Sequence, residues 1–567
     1  EQVLVLVNGK KINTAQGGGA DLSTINPDAI ERIEVHRGGN SAVYGENAVG
    51  GVINIITKEA EKDELSGSAR AGYGSFETVY GSSTVSATNG EETRGFSVSA
   101  HGLSSQGDYR FEDEHFGTLE RKNADSLRGG ASASVFFHPL QTVEVAADGS
   151  IYLDERGVPG TVEFPSESAR MTDERETAGI ETTWESPAGD FIVDGGFTRQ
   201  VRKYEEPEFY LGPIDDRHEN RALEAETRYE DEYAGRSFAV SWLGGYGFRQ
   251  DLLDSTAFTG QGGTKYSGDG IERRRHSVFG RGELRLFPYA ETGAARLAVF
   301  PAARLDSWQI DAFGGADSSS GRKPSWKIGL LSALTAEEQV VLKSSAGSSY
   351  RVPSFDDLFW PSTAFATGNP DLEPEESYFV DGGLVLAPIP ALRLEASVFY
   401  REVTNLIQWS PGPSGQWRPV NIGKSRFFGV ESELRALIDI PLISSYLETT
   451  VNGNYLYPED RTKESATFGK VIPRKPLWQA NGIVSLTHDR GHSLRAELRN
   501  VGYRYITAAN TKWFDPYTVL DLAATVVLGR GFELILAADN VFDVSYVDMR
   551  EYPVPGTELS AEVKYEF

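Results

Sequence analysis

No cysteine occurs in the chain, which excludes disulfides, thiolate metal sites and a cysteine nucleophile together. Methionine is almost missing, at 2 residues, and only 8 histidines are scattered over 567 positions. The sequence contains no His-Glu-x-x-His helix, Gly-x-Ser-x-Gly elbow or Walker lysine loop, so it offers no catalytic constellation and reads as a non-enzyme. A basic excess is also lacking: 55 Lys and Arg stand against 82 Asp and Glu, a net charge of -27, which argues against nucleic acid as a partner. No run approaches the roughly 18 apolar residues that a membrane-crossing helix needs. Mean hydropathy is -0.35. Strands that cross a membrane escape this test, because their alternating faces cancel in the average.

What the chain has is strand and turn chemistry: 60 Gly, 24 Tyr, 29 Phe and 9 Trp. From about Leu65 onward apolar residues alternate with polar ones, as in Val143, Val145, Ala147, Gly149, Ile151 and Leu153 against Thr142, Glu144, Asp148 and Ser150. Connections alternate in length. Short ones (His138 to Gln141, Ser186 to Asp190, Glu232 to Arg236, Ala387 to Ala391) interleave with long ones (Asp154 to Glu176, Val201 to Arg217, Arg249 to Glu272, Tyr350 to Glu375). A meander of this kind puts its long loops on one rim, and counting through gives about 22 strands. The expected fold is all-β, a 22-stranded antiparallel transmembrane β-barrel over residues 61–567. Tyr152, Trp184, Tyr246, Phe248, Phe287, Trp326, Tyr400 and Tyr455 are read as an outward aromatic girdle. A soluble multi-sheet protein is the alternative, but a propeller should show a blade-length repeat and none is found.

Residues 1–60 differ from the rest. Val3–Val7, the Asn8-Gly9 turn, Ile30–Arg37 and Gly51–Thr57 predict short strands joined by glycine-rich loops, a small mixed domain separate from the barrel. Glu1 leads directly into a strand with no initiating Met, so the chain is expected to be a processed or truncated form.

The segment IERIEVHRGGNSAVYGENAVGGVINIITK, Ile30 to Lys58, resembles the C-terminal half of the plug in TonB-dependent outer-membrane receptors. YRVPSFDDLFWPSTAFATGNPDLEPEESY (Tyr350 to Tyr378), VNIGKSRFFGVESEL (Val420 to Leu434) and ADNVFDVSY (Ala538 to Tyr546) are similar to that family's barrel signatures and follow its order. The opening VLVLVNGKKIN and the DLSTINPDAIERIEV run look closest to the family's cobalamin and catecholate-siderophore members. Two features depart from the pattern: the plug's N-terminal half with its TonB box is not seen, and Gly39 stands where proline is frequent.

The resemblance carries specific expectations. Asn13, Thr14, Gln16, Gly17 and Gly18 would form a plug apex that meets ligand, though a plain flexible turn is the competing reading. Arg37 with Glu431 and Asp381 would form a charged lock between plug and wall, against the alternative of generic lumen charges. Loop aromatics Tyr204, Phe209, Tyr210, Trp360 and Phe365 could pack on a ligand. Asp108, Asp113, Asp154, Asp215 and Asp216 could gather calcium, but no Asp-x-Asp-x-Asp-Gly loop occurs and a solvated acidic surface is the favoured account. No other cofactor is implied. The function implied is import of a scarce nutrient, a corrinoid or a ferric siderophore, across the bacterial outer membrane. Its partners would be TonB with ExbB and ExbD, the surrounding lipopolysaccharide and lipid, and the ligand, with the receptor a monomer. A passive pore or surface-binding barrel without TonB coupling is the alternative.

Overall fold

The computed structural model describes all residues except 1, 59–64, 114, 210–211, 236, 260–263, 268–269, 289–294, 313–316, 336, 361, 363–364, 413–414 and 464. From Ser66–Gly74 to Glu558–Glu566 the chain forms a closed antiparallel barrel of 22 strands, each paired with its sequence neighbours. The ring closes where the last strand meets the first, in register from Ser560↔Gly74 to Glu566↔Ser68. Thr264–Ser267 is a short return beside the end of Phe238–Thr259 and adds no strand to the wall, since Phe238–Thr259 also pairs directly with Ile271–Pro288.

The period-2 pattern sorts the side chains inside out. Ile180, Leu223, Val278, Trp184, Trp326 and Tyr455 face outward and exposed, whereas Asp173, Arg175, Asp251, Arg275 and Asp306 face inward and buried. Tyr152 corrects the girdle reading. It is 3% exposed and turns inward, because its neighbours Ile151 and Leu153 hold the outward positions.

Several segments expected to be loops are strand. Asp190–Glu206 and Ile214–Ala234 pair from Asp190↔Glu230 to Glu206↔Ile214, which leaves only residues 207–213 to connect them. A strand needs about 9 to 11 residues to span a bilayer. Trp417–Ile440 has 24, so its end on the long-loop rim rises well beyond that length. Beyond the bilayer no face has to be apolar toward lipid, and the alternation that reveals a strand is lost.

The N-terminal region forms a separate four-stranded sheet. Val3–Val7 is central, parallel to Gly51–Thr57 and antiparallel to Lys10–Lys11, while Ile30–Arg37 pairs on the far side of Gly51–Thr57. Leu4, Leu6, Ala48 and Val52 pack on one face, and Val5, Ile12 and Ile55 on the other. Burial on both faces explains why the run Val3–Val7 is continuously apolar. Side chains of this sheet and its loops bond to wall residues all round the ring: Asp28 to Arg70, Lys10 to Asp148, Thr24 to Arg175, Glu46 to Arg273, Asn40 to Lys327 and Arg37 to Glu431. Partners spread round the circumference place the domain inside the lumen. The dividing line drawn at 60/61 lies outside the described residues.

Candidate functional site

Arg37 ends its strand where Gly38 adopts φ +76°, a left-handed turn that glycine enters without steric cost. Asn40 Nδ2 ties this turn by donating to the carbonyls of His36, Arg37 and Gly38. The Arg37 guanidinium then lies 3.3 Å from Glu431 and 3.9 Å from Glu433. Asp381 has no described ion pair with Arg37. It accepts from Ser345 Oγ and lies on Glu375–Ile389, separated from Trp417–Ile440 by the intervening strand Leu392–Pro411, about two strand spacings or 10 Å.

A more deeply buried plug–wall junction centres on Glu46, a residue that the sequence reading passed over. Glu46 is 3% exposed and pairs through Oε1 with Arg273 at 3.3 Å and with Arg275. Arg273 also meets Asp251 at 3.2 Å, and Asp251 meets Arg249 at 2.9 Å. Burial opposes ionisation of Glu46, but the Arg273 and Arg275 guanidiniums overcome it and hold the carboxyl well below its ordinary range. Lys11 stands beside this network. Burial, reinforced by Arg275, lowers its ammonium pKa well below the usual value. The available signal was the run Arg273-Arg274-Arg275: residues i and i+2 of a strand share a face, and two inward arginines require a counter-charge.

The turn at the apex is built rather than open. Asn13 is buried; its Oδ1 accepts from Val5 N–H at 2.7 Å and its Nδ2 donates to the carbonyls of Val3 and Gly18. Its side chain is therefore committed inside the plug. Thr14 shapes the turn through backbone bonds with Gly18 and Gly19. Gln16 accepts from Asn220 on the wall, and Gly17 lies close to Asp356. The connection after Val340–Arg351 folds down here, with Phe355 and Asp356 N–H donating to the carbonyls of Ala15 and Gln16. Its helix, Phe355–Phe359, is fixed by a Ser354–Asp357 capping box and by ion pairs from Arg351 to Asp357 and Glu375. Leu22 and Ser23, just beyond the predicted apex, are exposed.

The aromatics are dispersed. The Tyr204 hydroxyl donates to Glu206, Trp360 packs edge-on against Trp409, and Phe365 is half exposed; Tyr210 lies outside the described residues. The five acids are not brought together either. Asp154 is buried in an ion pair with Arg156, Asp113 caps the turn at His115 and Phe116, Asp108 precedes the strand Tyr109–Asp113, and Asp215 and Asp216 lie in Ile214–Ala234 opposite Glu205 and Tyr204. Among the described residues no group of three or more His, Asp or Glu is placed to hold a metal ion.

With this geometry in place, two family models match. One is described as the TonB-dependent Receptor Plug Domain, over residues 1–52, and the other as TonB dependent receptor-like, beta-barrel, over residues 108–541. The chain belongs to the TonB-dependent receptor family. This receptor is 26% identical to a Vitamin B12 transporter BtuB of Vibrio vulnificus (strain YJ016), across all of the chain and 84% of the relative. Among solved structures it is similar in fold to the ferric enterobactin receptor PfeA of Pseudomonas aeruginosa in complex with enterobactin, with a TM-score of 0.79, 19% identity, and coverage of 100% of this chain and 92% of that one. The copper transporter OprC is similar at a TM-score of 0.80 and 15% identity, with coverage of 100% and 90%. The receptor's lumen also holds a cavity of about 260 Å³ between plug and wall, lined by Lys11, Arg249, Arg275 and Arg304 on its basic side.

Proposed function

We propose that this TonB-dependent receptor resides in the bacterial outer membrane, binds a corrinoid or a ferric siderophore at its long-loop rim, and imports it using work delivered by TonB with ExbB and ExbD. The observation that carries the reading is the plug's attachment: buried and half-buried ion pairs tie it to the wall around the ring. A solute can pass only if some of those bonds break. Uncoupling the buried Glu46–Arg273 pair costs about 3 to 5 kcal/mol and the half-buried pairs add to it, which favours an external motor. The Arg37–Glu431 pair acts as one plug–wall lock in this scheme. The exposed Leu22 and Ser23 beside the apex, with Trp360 and Phe365, form the ligand-facing surface. The full-length similarity to a vitamin B12 transporter supports the corrinoid, and the likeness in fold to a ferric enterobactin receptor supports the siderophore.

Equilibrium binding of cyanocobalamin and of ferric enterobactin to the detergent-purified receptor tests the ligand class. One of them should bind with a dissociation constant near nanomolar, about 12 kcal/mol. Rejection of both overturns the ligand assignment. Uptake in cells with and without functional TonB tests coupling, and equal uptake in the two overturns it.

A further inference from the structure

Two of the plug–wall junctions have opposite polarity. At one the plug supplies the cation, Arg37, to wall acids. At the other the plug supplies the anion, Glu46, to wall arginines that face the lumen. The arginines differ in what else they hold. Arg273 keeps Asp251 at 3.2 Å, but Glu46 is the single carboxylate found in ion-pair contact with Arg275 among the described residues. The fit of Glu46 is incomplete: its Oε2 and the Lys11 Nζ are both buried and lack a hydrogen-bond partner. A buried ammonium without its full set of bonds is a site that an oxygen-rich anion would improve. Access reaches Lys11 and Arg275, which line the cavity of about 260 Å³ along the plug's flank together with Arg228, Arg249, Arg281 and Arg304; Glu181, Asp194, Glu224 and Glu226 line it too, so the basic groups outnumber the acids there.

We propose that Arg273, Arg275 and Lys11 form an oxyanion-binding site at the plug–wall junction, that Glu46 is its resident occupant, and that a carboxylate or phosphate group on a passing solute takes the place of Glu46. The exchange with a solute rests on the import reading; the site itself does not. When the plug shifts and withdraws Glu46, Arg275 loses its ion-pair partner and keeps only the more distant Asp306 and Asp251, and an anionic group arriving through the cavity replaces the lost contact. The same step that opens the junction thereby favours entry of a ligand bearing an oxyanion over a neutral one.

Inorganic phosphate is the probe, titrated against the full chain in detergent at constant ionic strength with chloride as the control, and read as heat of binding. Glu46→Gln removes the resident charge while keeping the side-chain volume, and should bind phosphate at least about tenfold more tightly than the wild type. Adding Arg275→Gln to that variant should abolish the gain. Glu46→Asp, which retains the charge but withdraws it by one methylene, keeps the test available if the glutamine variant does not fold, and should bind more tightly than the wild type and less tightly than E46Q. Phosphate affinity unchanged in the substituted receptor, or a gain that survives loss of Arg275, overturns the proposal. Since no nutrient is involved, this outcome is independent of the cyanocobalamin and ferric enterobactin assays.

Discussion

Glu46 shows how much one plug side chain can hold. Removing its charge leaves Arg273 and Arg275 buried with too few partners, and loss of one member of a buried pair typically costs about 3 to 5 kcal/mol. Glu46→Gln in phosphate-free buffer should therefore lower the thermal unfolding midpoint at pH 7. The sign of the pH dependence follows from the depressed carboxyl: its contribution is complete above the ordinary carboxylate range and is lost as pH falls toward the folded-state value. The variant should thus lose less stability than the wild type between pH 7 and pH 3, and parallel losses would remove Glu46 from the account. Gly39 makes a steric prediction. A Cβ there would overlap Ser349 Oγ and the buried Phe379 ring, so Gly39→Ala should lift the plug turn off the wall at about 1 to 3 kcal/mol and speed proteolysis of residues 2–58. Asn13→Ala should act on stability and leave the preference between ligands unchanged, since that side chain bonds only within the plug. A change in ligand selectivity would restore Asn13 as a contact.

At the scale of elements, the helix Phe355–Phe359 joins the wall's longest described connections to the plug's apex. Its docking depends on Asp357, which is 1% exposed, accepts from Trp409 Nε1 at 3.1 Å and pairs with Arg351. Its start depends on Ser354, whose Oγ accepts from Asp357 N–H. Ser354→Ala should weaken the cap by about 1 kcal/mol and raise the rate of protease cleavage within 352–374 without unfolding the barrel. The motif around this helix was legible as a family signature, but its contact with the apex was not. Two backbone bonds from Phe355 and Asp356 to Ala15 and Gln16 leave no mark in side-chain pattern. Strands were legible wherever lipid-type residues alternate with polar ones, which is why Val143 to Leu153 was read as strand, although the strand runs on to Gly157 where a loop was expected. They were illegible where Asp215, Asp216 and Arg217 continue a strand that has no apolar face to display.

Across the whole molecule the net charge of -27 conceals an ordered interior. Acids and arginines that look unlocalised in sequence are sorted by strand parity into lumen-facing pairs, and the ring with its inner sheet could be read from periodicity and motif order. Which charges meet across the plug–wall gap depends on register and on where the plug sits. Arg37 with Glu431 was reached through resemblance, whereas Glu46 with Arg273 and Arg275, more than two hundred residues apart, was beyond any local pattern. The central claim is that the leading segment seals the barrel and must be moved for transport. Single-channel conductance in planar bilayers tests it most directly, comparing the intact chain with a variant lacking residues 2–58 whose barrel is verified by heat-modifiable gel migration. The intact receptor should show almost no ion current and the variant large, stable openings; equal conductance in the two would contradict the account.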